Sequence, residues 1–345
     1  MSWLVQPRLI NGPFDDPGLY VDFRYGRRAI LFDLGDLGGM AARELTRVSH
    51  ALISHTHMDH MAGFDRLLRL NLHRDGPLTL VGPPGFIDQV EHRIRGFTWN
   101  LIGPDSVDFR LAVQEFDGTR IAGAAEFRAR EVFARQAVDP PSLPAGVVLA
   151  EEGFRMEAAA LDHGIPSLAF CLRETLQVNV LRGALDALDL PVGPWLNAAK
   201  AAVRRGEPDD TLVAVPHRQP VSLGALRARA FRIGPGQAVA YVTDCAFTAA
   251  NRERILALAR GADQLFIEAV FLEQDAAVAA ATRHLTAAQA GRLAREAGAR
   301  HLNLFHHSAR YIDTPDLLHA EALAAFAGGE ASGAVPAQGD PVTGA

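Results

Sequence analysis

The chain has 345 residues, 48% apolar and 21% charged, long enough for one large domain or two ordinary ones and able to bury a core without covalent staples. A net charge of −6 and a pI near 6.1 exclude a global basic footprint for nucleic acid, and the local group Arg204, Arg205, Arg227, Arg229 and Arg232 reads mostly as a solvated face. Two cysteines, Cys171 and Cys245, without a CxxC pair, exclude a disulfide framework and a zinc knuckle; with no signal-like start and no run of roughly 18 apolar residues, the expected location is cytoplasmic, with no membrane partner.

Near the start, "GLYVDFRYGRRAILFDLG" reads as two strands joined by a turn. "VSHALIS" is a short strand, and "MAGFDRLLRLNLH" spaces its apolar residues at helical intervals, with Asp59 near the helix start. "LTLVGPPGF" is a strand stopped by a Pro-Pro-Gly turn, before a helix through "IDQVEHRIRGF". The span 105–170 is strand-like. Residues 181–210 are turn-rich, with one or two short helices. The strands "AVAYVTDCAF", "DQLFIEAVF" and "RHLNLFHHS" then alternate with the helices "NRERILALARGA" and "TAAQAGRLAREAGA", which argues α/β layering. One domain is expected over 1–327, followed by a disordered tail, 328–345, small, polar and without periodicity.

The stretch "LISHTHMDHMAGFDRLLR" places His55, His57, Asp59 and His60 within six positions. Imidazole and carboxylate are ligands for zinc and similar ions. A loop leaving a strand and entering a helix aims these four at two nearby points, and two-metal sites hold the attacking and leaving oxygens in hydrolysis. An ordinary polar loop is the competing reading.

"SHTHMDH" resembles the metal-binding motif of the metallo-β-lactamase fold hydrolases. "LDHGIPSLAF", "YVTDCAF", "FIEAVF", "HLTAAQAGRLAREAG" and "LFHHSARY" follow in the order seen in ribonuclease Z, the tRNA 3′-processing endonucleases. The resemblance covers roughly residues 20–315. It implies an α/β architecture, the metallo-β-lactamase αββα sandwich of two mixed β-sheets flanked by helices, with a short inserted arm at about 173–215. It also implies two zinc ions per chain, with manganese as the alternative metal. His55, His57 and His163 would hold one ion, Asp59, His60 and His306 the other, and Asp244 would bridge them. Only one of His306 and His307 can face the metals if both lie on a strand; the family pattern places the ligand two residues before the serine, at His306. The competing readings are a helix cap for Asp244 and a loop residue for His163.

By the same resemblance Asp59 orients the metal-activated hydroxide, and Glu268 with His284 protonates the leaving oxygen. Arg310 and Tyr311 are candidate substrate contacts, Arg310 equally a salt-bridged surface residue. Lys200, Arg204 and Arg205 are candidates for gripping tRNA from the arm, and a homodimer partner would add contacts. The expected function is a binuclear zinc-dependent phosphodiesterase cutting the 3′ side of precursor tRNA. The alternatives are the same site acting on a small cyclic or nucleotide phosphodiester, and a non-catalytic RNA- or protein-binding relative. The chain departs from the family at its start, which lacks the glycine-rich "LGTGSAxP" turn. It also has Ile267 where a histidine precedes the glutamate, and Leu285 where a serine follows the proton donor.

Overall fold

The computed structural model describes residues 3–24 and 26–328. The expected disorder of the tail therefore falls, from residue 329 onward, outside the described residues.

Two mixed sheets stack face to face. The first contains eight strands in sequence order: Val5–Leu9 (β1), Leu19–Phe23 (β2), Ala29–Phe32 (β3), Val48–Leu52 (β4), Gly76–Gly82 (β5), Phe109–Phe116 (β6), Ile121–Arg128 (β7) and Arg135–Ala137 (β8). β3 to β6 are parallel and the flanking pairs antiparallel. The hairpin read from "GLYVDFRYGRRAILFDLG" is β2–β3. Val147–Glu151 (β9), Phe154–Asp162 (β10) and Pro166–Glu174 (β11) begin the second sheet. The chain then leaves it for Leu176–Val180 (β12), Leu212–Val213 (β13), Val221–Ser222 (β14) and Phe231–Pro235 (β15). It returns as Ala238–Val242 (β16), Gln264–Glu268 (β17) and Leu302–Phe305 (β18), giving the order β18-β17-β16-β11-β10-β9.

Burial explains the layering. β6 and β10 alternate buried and less buried residues, as strands with one core face do, whereas all of β16 is buried, as a strand covered on both faces must be. The inter-sheet core joins Ile30, Phe32, Leu52 and Phe116 to Phe154, Leu168, Phe170 and Tyr241. The Phe32 ring stacks on Phe170 at 5.7 Å and on Tyr241 at 5.5 Å, tying the sheets together beside the site described below. Helices Phe64–Asn71 and Phe86–Arg95 cover the outer face of the first sheet. Helices Ala249–Leu258, Ala287–Glu296 and Pro315–Ala327 cover that of the second. This is an αββα sandwich. Among the described residues no helix is long and apolar enough to cross a membrane.

The helix expected from "MAGFDRLLRLNLH" is split into Met58–Met61 and Phe64–Asn71. The break is at Gly63, where a Cβ would lie 2.4 Å from the Gly35 carbonyl oxygen, so only glycine permits the approach. Gly63 N also donates to Leu34 O at 2.8 Å and Leu34 N to His60 O at 2.9 Å, fastening the histidine loop to the end of β3.

The excursion between β11 and β16 has its own core, including Val178, Trp195, Leu196, Ala199, Leu226 and Phe231. It ends later than the 173–215 span read from the sequence, because β12 pairs with β15 at 231–235.

Phe170 is fully buried. Phe170→Ala should lower the unfolding free energy by about 3–5 kcal/mol in chemical denaturation, as large-to-small core changes do; a loss under about 1 kcal/mol would show that the inter-sheet aromatic stack does not hold the sandwich.

Candidate active site

Several loops that leave strands toward one end of the sandwich bring titratable side chains together. His55, His57, Asp59 and His60 follow β4, and His163 lies in the β10–β11 turn, next to Gly164 at φ +83°. Asp244 follows β16, Glu268 ends β17, His284 precedes helix Ala287–Glu296, and His306 follows β18. Leu168 N donates to Ser54 O at 2.8 Å, so the histidine loop of one sheet is bonded to the other.

Asp244 is at the centre, only 2% exposed. Its Oδ2 lies 3.8 Å from His55 Nε2 and 3.6 Å from His163 Nε2; its Oδ1 lies 3.4 Å from His60 Nε2 and 3.0 Å from His306 Nδ1. Asp59 Oδ2 is 3.5 Å from His60 Nε2 and 3.3 Å from His306 Nε2. Among the described residues three groups of ligand atoms each lie within 4.8 Å of one another: His55, His57, His163 and Asp244; Asp59, His60 and His306; and Asp244, Glu268, His284 and His306, which overlaps the proton-donor pair. His57 is exposed and the Asp59 side chain 39% exposed, so the cluster opens to solvent along that edge.

The donor set fits metal ions. His55 Nε2, His60 Nε2 and His306 Nδ1 are buried and make no hydrogen bond, although all three face Asp244. Orphaned buried nitrogens are costly, and a cation between them and the carboxylate relieves that cost. Electrostatics agree. Burial and the adjoining imidazoles lower His55 to about 2, keeping it in the neutral, metal-binding form. Burial opposes charge on His60, yet Asp244 and Asp33 raise it to about 10. Burial likewise opposes the charge of Asp59, which His306 and His60 hold down to about 2. Burial opposes charge on His306 too, yet Asp244, Asp59 and Glu268 raise it well above its ordinary value.

Residues absent from the sequence reading orient the ligands. Asp33, fully buried at the end of β3, accepts from His60 Nδ1 at 2.9 Å, Ser54 Oγ at 2.9 Å, Ser54 N at 2.7 Å and Tyr241 Oη at 2.9 Å. The bond fixes the His60 tautomer and turns Nε2 toward Asp59 and Asp244. The available signal was a repeated pattern: "AILFD" and "AVAYVTD" are both apolar strands closed by aspartate. His163 Nδ1 is held in the same manner by Arg283 O at 2.9 Å.

Glu268 is fully buried. Its Oε1 accepts from Leu285 N at 2.9 Å and Cys245 N at 3.2 Å, and its Oε2 from His284 Nδ1 at 2.9 Å. Burial opposes both charges, but each partner supports the other: Glu268 stays below and His284 above its ordinary value. Nδ1 being engaged, His284 turns Nε2 away from the carboxylate.

Not all the expected residues gather here. His306, with φ 60°, leaves the strand conformation and enters the cluster, whereas His307 donates from Nδ1 to Ala269 O at 2.8 Å and packs edge-on against Phe14. Tyr311 is 5% exposed, with its hydroxyl bonded to Asp275 and Leu272 N, and Arg310 pairs with Asp275 at 3.1 Å. Lys200, Arg204 and Arg205 belong to the excursion, which leaves from the other end of β11. At about 3.3 Å per residue, the nine residues of β11 put it roughly 30 Å from the His163 turn. Arg204 bonds Leu176 O and Glu174 there, and Arg205 pairs with Glu152 and Glu207. Cys171 and Cys245 are buried and free.

Sandwich and site together define a metal-dependent hydrolase of the metallo-β-lactamase fold. Residues 196–307 match a family model described as a beta-lactamase superfamily domain. Two solved structures share the fold: the metallo-β-lactamase fold protein YhfI of Bacillus subtilis (TM-score 0.51, 16% identity, 94% of each chain) and the short form of human tRNase Z (TM-score 0.50, 17% identity, 89% of this chain and 93% of that one). The chain is 33% identical over 324 residues to ribonuclease Z of Deinococcus radiodurans, covering 92% of this chain and 95% of that protein. It is 32% identical to ribonuclease Z of Thermobifida fusca, covering 88% and 83%. The chain belongs to the ribonuclease Z family.

At neutral pH metal-free His60 retains its proton, since its value is raised to about 10, and a cation at Nε2 must displace it. Zinc binding at pH 7 should therefore release roughly one or more protons per chain and tighten as pH rises toward that value. Calorimetry in buffers of different ionisation enthalpy checks this; heats identical in every buffer would contradict it.

Proposed function

We propose that this chain is a zinc-loaded phosphodiesterase, two ions per chain with manganese able to substitute, that cleaves precursor tRNA on its 3′ side. The observation that carries the reading is the conjunction of two ligand groups, one including Asp244 and the other with His60 and His306 within 3.4 Å of it, with a buried Glu268–His284 pair on the same rim. His55, His57 and His163 would hold one ion, Asp59, His60 and His306 the second, and Asp244 both. When bound, the ions supply the positive charge that acidifies water and neutralises phosphoryl oxygens.

The protein's own groups do the rest. Asp59, at the open edge, orients the attacking water and accepts its proton. Glu268 keeps His284 protonated and fixes its ring, so that Nε2 donates a proton to the leaving oxygen as the phosphorus–oxygen bond breaks. Lys200, Arg204 and Arg205 are read as a distant hold on a long substrate, and a second copy in a homodimer would bring another such surface. Arg310 remains a candidate phosphate contact through whichever donors its pairing with Asp275 leaves. Tyr311, its hydroxyl committed to Asp275 and Leu272, is read as a support for that arginine. A cytoplasmic location belongs to the same reading. A small phosphodiester is the second reading, favoured by one observation: Arg204 and Arg205 have carboxylate partners within the chain.

Turnover of precursor tRNA and of bis(p-nitrophenyl) phosphate separates the readings. The unmodified enzyme should cleave both, given zinc. His284→Ala should slow tRNA cleavage by about 10²–10⁴-fold, the usual contribution of a general acid. It should affect the nitrophenyl ester far less, because p-nitrophenolate leaves without a proton, and metal content should not change. Equal losses on both substrates with loss of metal would make His284 a ligand. Turnover of the ester without tRNA cleavage would favour the small phosphodiester.

A further inference from the structure

The two loops carrying His163 and Asp244 are not registered by the sheet. β11 pairs with β16 only from Phe170↔Tyr241 to Arg173↔Ala238, so the residues of β11 nearest the His163 turn lie beyond the last rung. The link is made instead from the helix behind the sheet. Asn251, 1% exposed in helix Ala249–Leu258, donates from Nδ2 to Asp162 O at 2.9 Å and to Ala246 O at 2.8 Å, and accepts at Oδ1 from Asp162 N at 2.9 Å. One amide thus grips the residue before His163 and the residue two after Asp244. Ala246 N adds a direct bond to Asp162 O at 2.8 Å.

From this we propose that Asn251 is a positioning residue that sets the separation of His163 and Asp244, and thereby governs the ion held by His55, His57, His163 and Asp244 more strongly than the ion held by Asp59, His60 and His306, which shares only Asp244 with it. The inference rests on the metal reading given under Proposed function. It follows from physics already present in the site. His163 Nε2 stands 3.6 Å from Asp244 Oδ2, and ligand bonds to zinc of about 2.0–2.2 Å leave little tolerance for drift of one loop against the other. Groups behind the ligands commonly govern metal affinity by about 10–100-fold. The second group shares only Asp244 with the clasp; its other ligands, Asp59, His60 and His306, are on loops Asn251 does not touch.

Two variants and one control test this. Asn251→Ala removes the clasp. Asn251→Asp keeps its volume but sets a carboxylate against two carbonyl oxygens. Thr248→Ala removes the hydroxyl that caps the same helix, where Thr248 Oγ1 accepts from Asn251 N at 3.1 Å, without touching Asp162. Zinc affinities are read by competition with a chromophoric chelator, and metal-free melting by circular dichroism. The expected result is that both Asn251 variants weaken one of the two ions by about 10–100-fold, while the other, which shares only Asp244 with the clasp, is weakened distinctly less. Thr248→Ala should melt lower with both affinities retained. Equal weakening of both ions, no weakening of either, or the same loss in Thr248→Ala would overturn the proposal. Absence of zinc binding by the unmodified protein would instead overturn the metal reading on which it rests.

Discussion

The architecture turns on one buried carboxylate. Asp244 has four imidazoles within 3.0–3.8 Å and almost no access to water. An unpaired ionised group in that setting is expensive, so the folded state requires positive charge around it. Without metal the charge comes from protonated His60 and His306, which hold Asp244 well below the ordinary carboxylate range. With metal it would come from the ions. The rest of the fold serves to bring loops from both sheets to that point, and the aromatic stack of Phe32, Phe170 and Tyr241 lies just beneath it.

Division of labour follows from exposure. Groups that only hold others are sealed: Asp33, Glu268 and Asn251 are at most 1% exposed. Groups that would meet substrate are open: His57 is exposed, and the Asp59 and His284 side chains are 39% and 17% exposed. The same contrast separates the two carboxylate–imidazole pairs. Asp33 shares its charge among His60, Ser54 and Tyr241, whereas Glu268 spends one oxygen on backbone N–H groups and the other on His284. Both arrangements fix a ring and favour its protonated form in the metal-free protein.

Much of the site was legible because its signal is local. His55, His57, Asp59 and His60 are joined by a single loop, and the whole HxHxDH string, more than spacing by itself, suggested shared coordination. Strand alternation showed that only one of His306 and His307 could point inward; the structure adds that His306 does so from a left-handed residue just past the strand. What stayed hidden depends on contacts distant in sequence. Asp33 lies beside the histidine loop through parallel pairing of β3 with β4, which no local pattern announces. The true end of the excursion depends on β12 finding β15. Tyr311 sits next to Arg310 in sequence, and only tertiary packing decides that one is buried and the other half exposed.

Diffraction from zinc-soaked crystals, with anomalous data collected on both sides of the zinc absorption edge, tests the central claim most directly. Two anomalous peaks should flank Asp244, one bounded by His55, His57 and His163, the other by Asp59, His60 and His306, with ligand distances of about 2.0–2.2 Å. A single peak, or two peaks with Asp244 bound to neither, would contradict a structure organised around that carboxylate.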